Sequence, residues 1–284
     1  MVSPRTLHAA LAGQLTAAEI PDADFDAKCM IEQVTGRKFY DMMPLSDAQA
    51  EQARAMADRR VTGEPLQYIL GEWEFYGLRL FVGEGVLIPR PDTETLVDAI
   101  LERISRNAAP VILDLCSGSG CIALALRENL PHAQVHAVEK SDKALLYLRK
   151  NAAYHGDRIT IHQHDVLDVH AADGFSGADV IVSNPPYLTA EEMAVLQTEV
   201  RHEPVMALEG GGDGLLFYRE IPKIWKKSLR PGGVLAFEVG DTQAEDVAAI
   251  LAENGFADIC ILPDLAGISR VVLGIFPERS ILNN

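Results

Sequence analysis

The 284-residue chain predicts an open, doubly wound α/β sheet preceded by a small bundle of helices. Three observations carry that prediction. From Pro110 onward, short apolar runs alternate with helix-period stretches, as they do where parallel strands are joined by crossover helices. The first of those runs ends at once in a glycine-containing loop, Cys116-Ser117-Gly118-Ser119-Gly120, that opens a helix. Residues 1 to about 62, by contrast, show only amphipathic helical periodicity.

The elements follow in order. Leu7, Ala10, Leu11 and Leu15 form one helical stripe. Ala27, Met30, Ile31 and Val34 form another, stopped by Gly36. Ser46 is placed to cap a third helix running to Arg60. Gly63-Glu64-Pro65 marks a boundary. Beyond it, Leu78–Val82 and Val86–Ile88 read as the two strands of a hairpin with Gly83 and Gly85 between them. The hairpin reads as a connector, and the domains are drawn at 1–70, 71–91 and 92–284. Asp92 or Thr93 is placed to cap a helix through Leu96, Val97, Ile100 and Leu101. Strands are expected at 111–115, 135–138, 159–163, 178–182 and 234–239, with helices at 121–130, 143–151, 214–229 and 244–253. The runs 259–262 and 269–275 close the chain as a hairpin.

Composition narrows the function. Hydrophobic residues make up 48% of the chain, as in ordinary globular domains. Met1–Ile20 reads as neither a signal peptide nor a membrane span, which needs roughly 20 apolar residues. The four cysteines are scattered and suit a reducing cytoplasm. His162, His164 and His170 lack ligand spacing, so no metal is expected. A net charge of −16 repels a nucleic-acid backbone. The pairs Arg59-Arg60 and Lys226-Lys227 read as solvated helix faces, not as a basic groove. Such a chain is better matched to a basic protein partner or a small molecule.

The strand ends carry the chemistry. Ligands of doubly wound sheets sit beyond the carboxyl ends of the strands. Asp114-x-x-x-Gly118-x-Gly120 is no P-loop, because no Gly-Lys-Ser/Thr follows. It also fails the nicotinamide fingerprint, since Gly118 falls late relative to the strand. Asp114, at the end of the first strand, suits the ammonium of an amino-acid-like ligand. Glu139, at the end of the second, suits two ribose hydroxyls. Asp165, ending the third, suits an adenine amine, with the Val166 backbone N–H reaching the ring. Ammonium, ribose and adenine together describe S-adenosylmethionine. Any one of these acids alone is as well explained by solubility.

The fourth strand ends at Asn184-Pro185-Pro186-Tyr187. Two prolines fix φ and remove two backbone donors, so the strand stops there. The Asn184 side-chain oxygen accepts one N–H of a planar amine, a carbonyl of the Pro-Pro segment accepts the other, and the Tyr187 ring covers the nitrogen. The alternative is a strand-ending turn with a core Tyr.

Together the Asp114–Gly120 loop, Glu139 and Asn-Pro-Pro-Tyr resemble a class I (Rossmann-like) S-adenosylmethionine-dependent methyltransferase acting on an amide or aromatic amine. The run Ile88-Pro89-Arg90-Pro91-Asp92-Thr93-Glu94, with Arg201-His202-Glu203-Pro204 and Gly211-Gly212-Asp213-Gly214, narrows the resemblance to the HemK/PrmC family. That resemblance implies methylation of the glutamine side-chain nitrogen in the Gly-Gly-Gln motif of peptide chain release factors, with S-adenosylhomocysteine as product. It also implies that Pro89, Arg90 and Glu94 shape the substrate entrance. For Arg90 an ion pair holding the hairpin to the domain explains the residue equally well. Cys116 departs from the family, where many members carry Gly. Three rivals share parts of this pattern. A ribosomal-protein glutamine methyltransferase has the same clamp, a DNA adenine methyltransferase needs a basic groove, and a cofactor-binding interaction protein would not transfer methyl groups.

Overall fold

The computed structural model describes residues 1–41 and 43–277. They group into two compact units, Met1–Trp73 with Val82–Glu84 and Gln197–His202, and Glu74–Phe81 with Gly85–Leu196 and Glu203 onward. This grouping is not colinear with the sequence boundaries at residues 70 and 91. Residues 74–81 and 85–91 count with the second unit, and 197–202 with the first.

The first unit is helical: α1 (Pro4–Ala17), α2 (Ala23–Thr35), α3 (Asp47–Arg60) and the short α4 (Leu66–Leu70). The stripes Leu7, Leu11, Leu15 and Ala27, Met30, Ile31 are fully buried and meet Ala50, Ala53 and Ala57 of α3. Ser46 caps α3 in a reciprocal capping box with Gln49. Gly36 ends α2 in the left-handed conformation. The reading of Arg59-Arg60 as a solvated face needs correction. Arg60 is buried, with Nε donating to Asp26 at 2.7 Å and Nη2 to Glu199 at 2.5 Å. A charged residue is retained inside only because both of its partners are charged.

A two-stranded ribbon, β1 (Glu72–Phe75) and β2 (Leu78–Phe81), follows. The expected hairpin had its turn one segment too late. The chain reverses at Tyr76-Gly77, where both residues take positive φ, 52° and 73°, the conformation of a two-residue hairpin turn. Val86 and Ile88 are buried, but the segment 86–88 forms no strand. In the second unit β2 is tied down by Asn151, which accepts from Phe81 N at 2.7 Å and donates to Phe81 O at 3.1 Å.

The helix α5 (Glu94–Leu101) is entered through a 3-10 turn at Pro91–Thr93. Neither Asp92 nor Thr93 caps it, contrary to expectation. Thr93 has helical φ and ψ and makes no side-chain capping bond, so its hydroxyl is free for other work. The sheet then assembles from β3 (Val111–Leu115), α6 (Cys121–Asn129), β4 (Gln134–Glu139), α7 (Asp142–Tyr154), β5 (Thr160–Gln163), β6 (Ala178–Ser183), α8 (Ala190–Ala194), α9 (Leu216–Trp225), β7 (Leu229–Glu238), α10 (Ala244–Glu253), β8 (Ala257–Pro263) and β9 (Ser269–Ile275). Strand order is β5-β4-β3-β6-β7-β9-β8. The first five strands of that order are parallel, while β9 pairs antiparallel with both β7 and β8.

Two departures in this unit have local causes. The helix expected over 214–229 spans only 216–225. Gly214 has a φ of +72°, which a helix cannot use, and a 3-10 turn at Lys226–Ser228 ends the run. The strand expected at 234–239 begins at Leu229, because Leu229 already pairs with Ala178 and the Pro-Gly-Gly sequence is absorbed as an irregularity in the ladder.

Alternate residues of each central strand face opposite layers. Ile112, Val180 and Val182 pack toward α5, α6 and α7, beside Leu126, Leu145 and Leu148. Leu113, Leu115, Ile181 and Phe237 pack toward α9 and α10, beside Tyr218, Trp225 and Leu251. The buried polar tips are satisfied: Trp225 Nε1 donates to Val166 O and Tyr218 Oη to Glu238 O, each at 2.9 Å. From β3 the chain winds outward through β4 and β5, then returns to the other side of β3 with β6. That reversal is the switch point at which such sheets bind ligands.

Candidate active site

A cavity of about 990 Å³, counting its open mouth, lies in the second unit. Cys116, Glu139, Asp165 and Asn184, at the ends of β3, β4, β5 and β6, all line it. The strand ends therefore converge as the sequence pattern requires.

The loop after β3 is built on positive φ angles: 60° at Cys116, 55° at Gly118 and 84° at Gly120. At Gly120 a Cβ would meet Leu148 Cδ1 at 2.4 Å, so only glycine lets α6 start there against α7. At Gly118 a Cβ would meet nothing within 4 Å, and the glycine serves conformation alone. Cys116 occupies the same left-handed region with a side chain. Its substitution for glycine thus carries a backbone cost of about 1–2 kcal/mol, which its small size does not relieve.

Glu139 ties the cavity floor together. Its Oε2 accepts from Gly118 N at 2.8 Å, and its Oε1 from Lys140 N at 2.8 Å and Ser141 N at 2.7 Å. Asp165 lies two residues beyond the end of β5, not on it. Its Oδ2 accepts from Lys140 Nζ at 2.7 Å and its Oδ1 from Leu167 N at 3.0 Å. Burial works against this carboxylate, but those two hydrogen bonds prevail and hold its pKa below the usual range. Val166 and Ser117 line the cavity, as does Ser119, whose buried hydroxyl has no hydrogen-bond partner among the described residues.

Asp114 is placed differently from its sequence reading. It is fully buried beneath the loop and is not part of the cavity wall. One oxygen accepts from Ala123 N at 3.1 Å, and the other has no partner among the described residues. Burial pushes its pKa up to about 8.

On the opposite wall stand Leu87, Pro89, Arg90 and Thr93. Arg90 is ion-paired with the buried Glu203, whose second oxygen accepts from Ile88 N at 3.0 Å. The ion-pair reading of Arg90 holds, and the same residue lines the cavity. Glu94 lies off the cavity and accepts from Tyr76 N at 2.8 Å. Its visible role is to hold the hairpin turn.

Asn184 and Pro186 line the cavity, whereas Pro185 is buried and Tyr187 packs on the α9 core layer. Burial pushes the Tyr187 phenol up to about 12. Asn184 Nδ2 donates to Thr93 Oγ1 at 3.2 Å. The clamp backbone is braced from behind, where Gln243 Nε2 donates to Tyr187 O at 3.0 Å and Leu188 pairs with Glu209. The Gly-Gly-Asp-Gly segment explains itself here. A Cβ on Gly214 would sit 2.4 Å from Tyr187 O, and one on the preceding Gly210 would sit 2.6 Å from Tyr187 Cα.

Sequence reading missed several contributors. Met206, Phe217 and Lys140 line the cavity without any motif to announce them. Glu238 ends β7 and lies behind the clamp, its pKa pushed up to about 7 by burial. It was legible by the rule that found Glu139, an acid on the last residue of a parallel strand.

Sequence and structure comparisons place these features among known proteins. The Methyltransferase small domain model matches residues 91–221 and the PrmC N-terminal domain model matches residues 7–71. A release factor glutamine methyltransferase from Geobacter sulfurreducens is 45% identical over 81% of this chain and 80% of its own length. One from Agrobacterium fabrum is 38% identical over 91% and 92%. Among solved structures, the hMettl16 catalytic domain in complex with a MAT2A 3′UTR hairpin superposes with a TM-score of 0.57 at 17% identity, covering 84% of each chain. A methyltransferase from Pyrococcus furiosus gives 0.53 at 16% identity, covering 80% of this chain and 98% of its own. Likeness at that identity extends to the fold alone.

Proposed function

The chain belongs to the release factor glutamine methyltransferase family, and on that premise we propose that it methylates the side-chain amide nitrogen of the glutamine in the Gly-Gly-Gln motif of peptide chain release factors. The donor in this reading is S-adenosylmethionine, leaving S-adenosylhomocysteine, and the setting is the cytoplasm, where release factors act. The observation that carries it is Asn184, delivered by the Pro-Pro turn to the switch point of the sheet with its amide nitrogen drawn onto Thr93. Its oxygen is thereby available to an N–H in the cavity.

The residues fit the donor. The Ser119 hydroxyl, which has no hydrogen-bond partner among the described residues, offers a hydrogen bond, and Glu139 still has lone-pair capacity beside its three backbone donors. Glu139 would hold the ribose. Asp165 and Val166 would hold the adenine, and the Cys116–Gly120 loop the amino-acid end. Asp114 supports that loop from below. When bound, the donor supplies an electrophilic methyl group on a sulfonium.

This chain's part is position and charge. An amide nitrogen is a poor nucleophile because its lone pair is delocalised. With Asn184 Oδ1 accepting one N–H and a carbonyl of the Pro-Pro segment the other, the lone pair is aimed along one direction. Alignment of this kind is worth up to about 7–11 kcal/mol. The same acceptors stabilise the positive charge that develops on nitrogen. Tyr187 and Pro186 keep the clamp rigid, while Arg90 and Pro89 shape the entrance.

The test is transfer of labelled methyl groups to a release factor. Asn184→Ala is expected to lower kcat by about 10²–10³ while binding S-adenosylmethionine as the parent does. Near-normal turnover in that variant would remove Asn184 from the chemistry.

A further inference from the structure

Arg270, the second residue of β9, carries a charged side chain into the second unit at only 6% exposure. Its guanidinium faces acids from three segments. Nη2 pairs with Asp241, after β7, at 2.8 Å and with Asp92, in the 3-10 turn before α5, at 3.4 Å. Nε faces Asp264, between β8 and β9, at 3.5 Å. Nη1 donates to Val239 O at 3.2 Å, and Val239 N donates back to Arg270 O at 2.9 Å. Asp264 has local work of its own, since its Oδ1 accepts from Ala266 N at 2.9 Å and Ile268 N at 3.0 Å. Asp92 and Asp241 have side chains more than half exposed, so neither needs an arginine for solvation.

The two segments that share Nη2 reach opposite ends of the Asn-Pro-Pro-Tyr segment. Asp92 precedes Thr93, whose Oγ1 accepts from Asn184 Nδ2 at 3.2 Å. Val239 and Asp241 flank Gly240, whose N donates to Gln243 Oε1 at 3.0 Å. Gln243 Nε2 in turn donates to Tyr187 O at 3.0 Å. A Cβ on Gly240 would lie 3.3 Å from Tyr187 Cδ2, so this turn also lies against the Tyr187 ring. We propose that Arg270 is a positioning residue for methyl transfer, tying the Thr93 turn to the Gly240 turn and so fixing both ends of the clamp. The proposal rests on the role given to Asn184 above.

Packing alone does not call for an arginine here. An apolar side chain of similar volume often serves stability as well as a buried ion pair does. What it could not do is join separate segments. A guanidinium is planar and carries five N–H groups in a fixed fork, so it can hold a carbonyl on one nitrogen and carboxylates on the others at set distances. A lysine keeps the charge but gathers its donors on one atom at the end of a flexible stem. It can satisfy Asp241 or Val239 O, but it cannot reproduce the spacing between them and Asp92. Loss of that spacing would let the Thr93 and Gly240 turns move apart. A displacement near 1 Å is enough to cost methyl transfer on the order of 100-fold.

The experiment compares the parent with Arg270→Lys, Asp92→Asn, Asp241→Asn and the double variant Arg270→Lys/Asp92→Asn, each well below its melting temperature. Three quantities are read: the S-adenosylmethionine dissociation constant by calorimetry, kcat and KM on a release factor, and the NMR cross-peaks of the Asn184 side-chain amide, assigned by their loss in Asn184→Ala. Arg270→Lys is expected to lose on the order of 100-fold in kcat, and each Asp→Asn variant about 10-fold. Dissociation constants and KM should stay within about threefold of the parent. The double variant should fall no further than Arg270→Lys, because both changes break one tie. The Asn184 cross-peaks should move in Arg270→Lys and in Asp92→Asn. Parent-like kcat in Arg270→Lys, a loss matched by weaker cofactor binding, or additive losses in the double variant overturns the proposal. If Arg270→Lys does not fold, the two exposed acids carry the test, and parent-like kcat in both overturns it. If the parent methylates no release factor, the functional reading falls separately. The cross-peaks then decide alone, and an Asn184 amide unmoved in every folded variant overturns the positioning role.

Discussion

Glu139 does two jobs with one carboxylate. It closes three backbone N–H groups into the cavity floor and, in the proposed reading, also holds the ribose of the donor. Glu139→Ala would orphan those donors, at about 1–3 kcal/mol for each one left without water. It should lower thermal stability and weaken S-adenosylmethionine binding together, and a melt paired with calorimetry reads both. Lost affinity at unchanged stability would mean that the loop holds itself. Asp114 gives a prediction of opposite character. Its folded pKa of about 8 lies well above the ordinary 3.8. Between those values the native chain holds a proton that the unfolded chain has lost. Its contribution to stability is therefore complete below about pH 4 and is lost as pH rises toward about 8, at up to about 1.4 kcal/mol per unit. Denaturation of Asp114→Asn beside the parent checks the sign, because the difference should move in favour of Asn as pH rises. A difference that is flat with pH would mean that Asp114 is ionised in the fold.

The elements behind the Asn-Pro-Pro-Tyr segment leave room for backbone alone. A Cβ on Gly210 would lie 2.6 Å from Tyr187 Cα and 2.8 Å from Pro186 O, so Gly210→Ala must displace the clamp itself. About 1–3 kcal/mol of stability should be lost, with turnover down on the order of 100-fold for a shift near 1 Å. Kinetics and denaturation on the same sample test this, and normal turnover would show that the clamp tolerates movement. The strands β3, β4, β6 and β7 were legible as buried apolar runs, whereas β5 at the sheet edge has no buried residue and was legible only by its place in the alternation. The hairpin was not. Glycines marked a turn at 83–85, yet the chain reverses at Tyr76-Gly77, and a tyrosine at positive φ leaves no trace in composition. The start of β7 was hidden by Pro231-Gly232-Gly233, which reads as a turn and is accommodated inside the ladder. Glu203 and Glu94 share a lesson. Their motifs marked them, but only coordinates separate an acid that clips Ile88 and Arg90 from one that holds the Tyr76 turn. The buried Arg60 was misjudged for a related reason, since Asp26 and Glu199 are remote from it in sequence.

At the scale of the molecule, a charge of −16 favours encounter with a basic partner. Long-range attraction steers a basic partner in and is screened once the Debye length falls below about 10 Å. Raising salt from about 0.05 to 0.5 M should therefore lower kcat/KM for a release factor more than kcat. A salt-independent kcat/KM would place recognition in short-range contacts alone. The topology supplies the rest, with four strand ends gathered at one reversal of the sheet and the clamp on the strand that follows it. The central claim is that this gathering serves glutamine methylation. The most direct measurement is site-mapping mass spectrometry of a release factor incubated with the protein and S-adenosylmethionine. A single methyl on the Gly-Gly-Gln glutamine, absent when Asn184→Ala is used, is the predicted result. An unmodified glutamine, with S-adenosylmethionine bound and the protein folded, would contradict it.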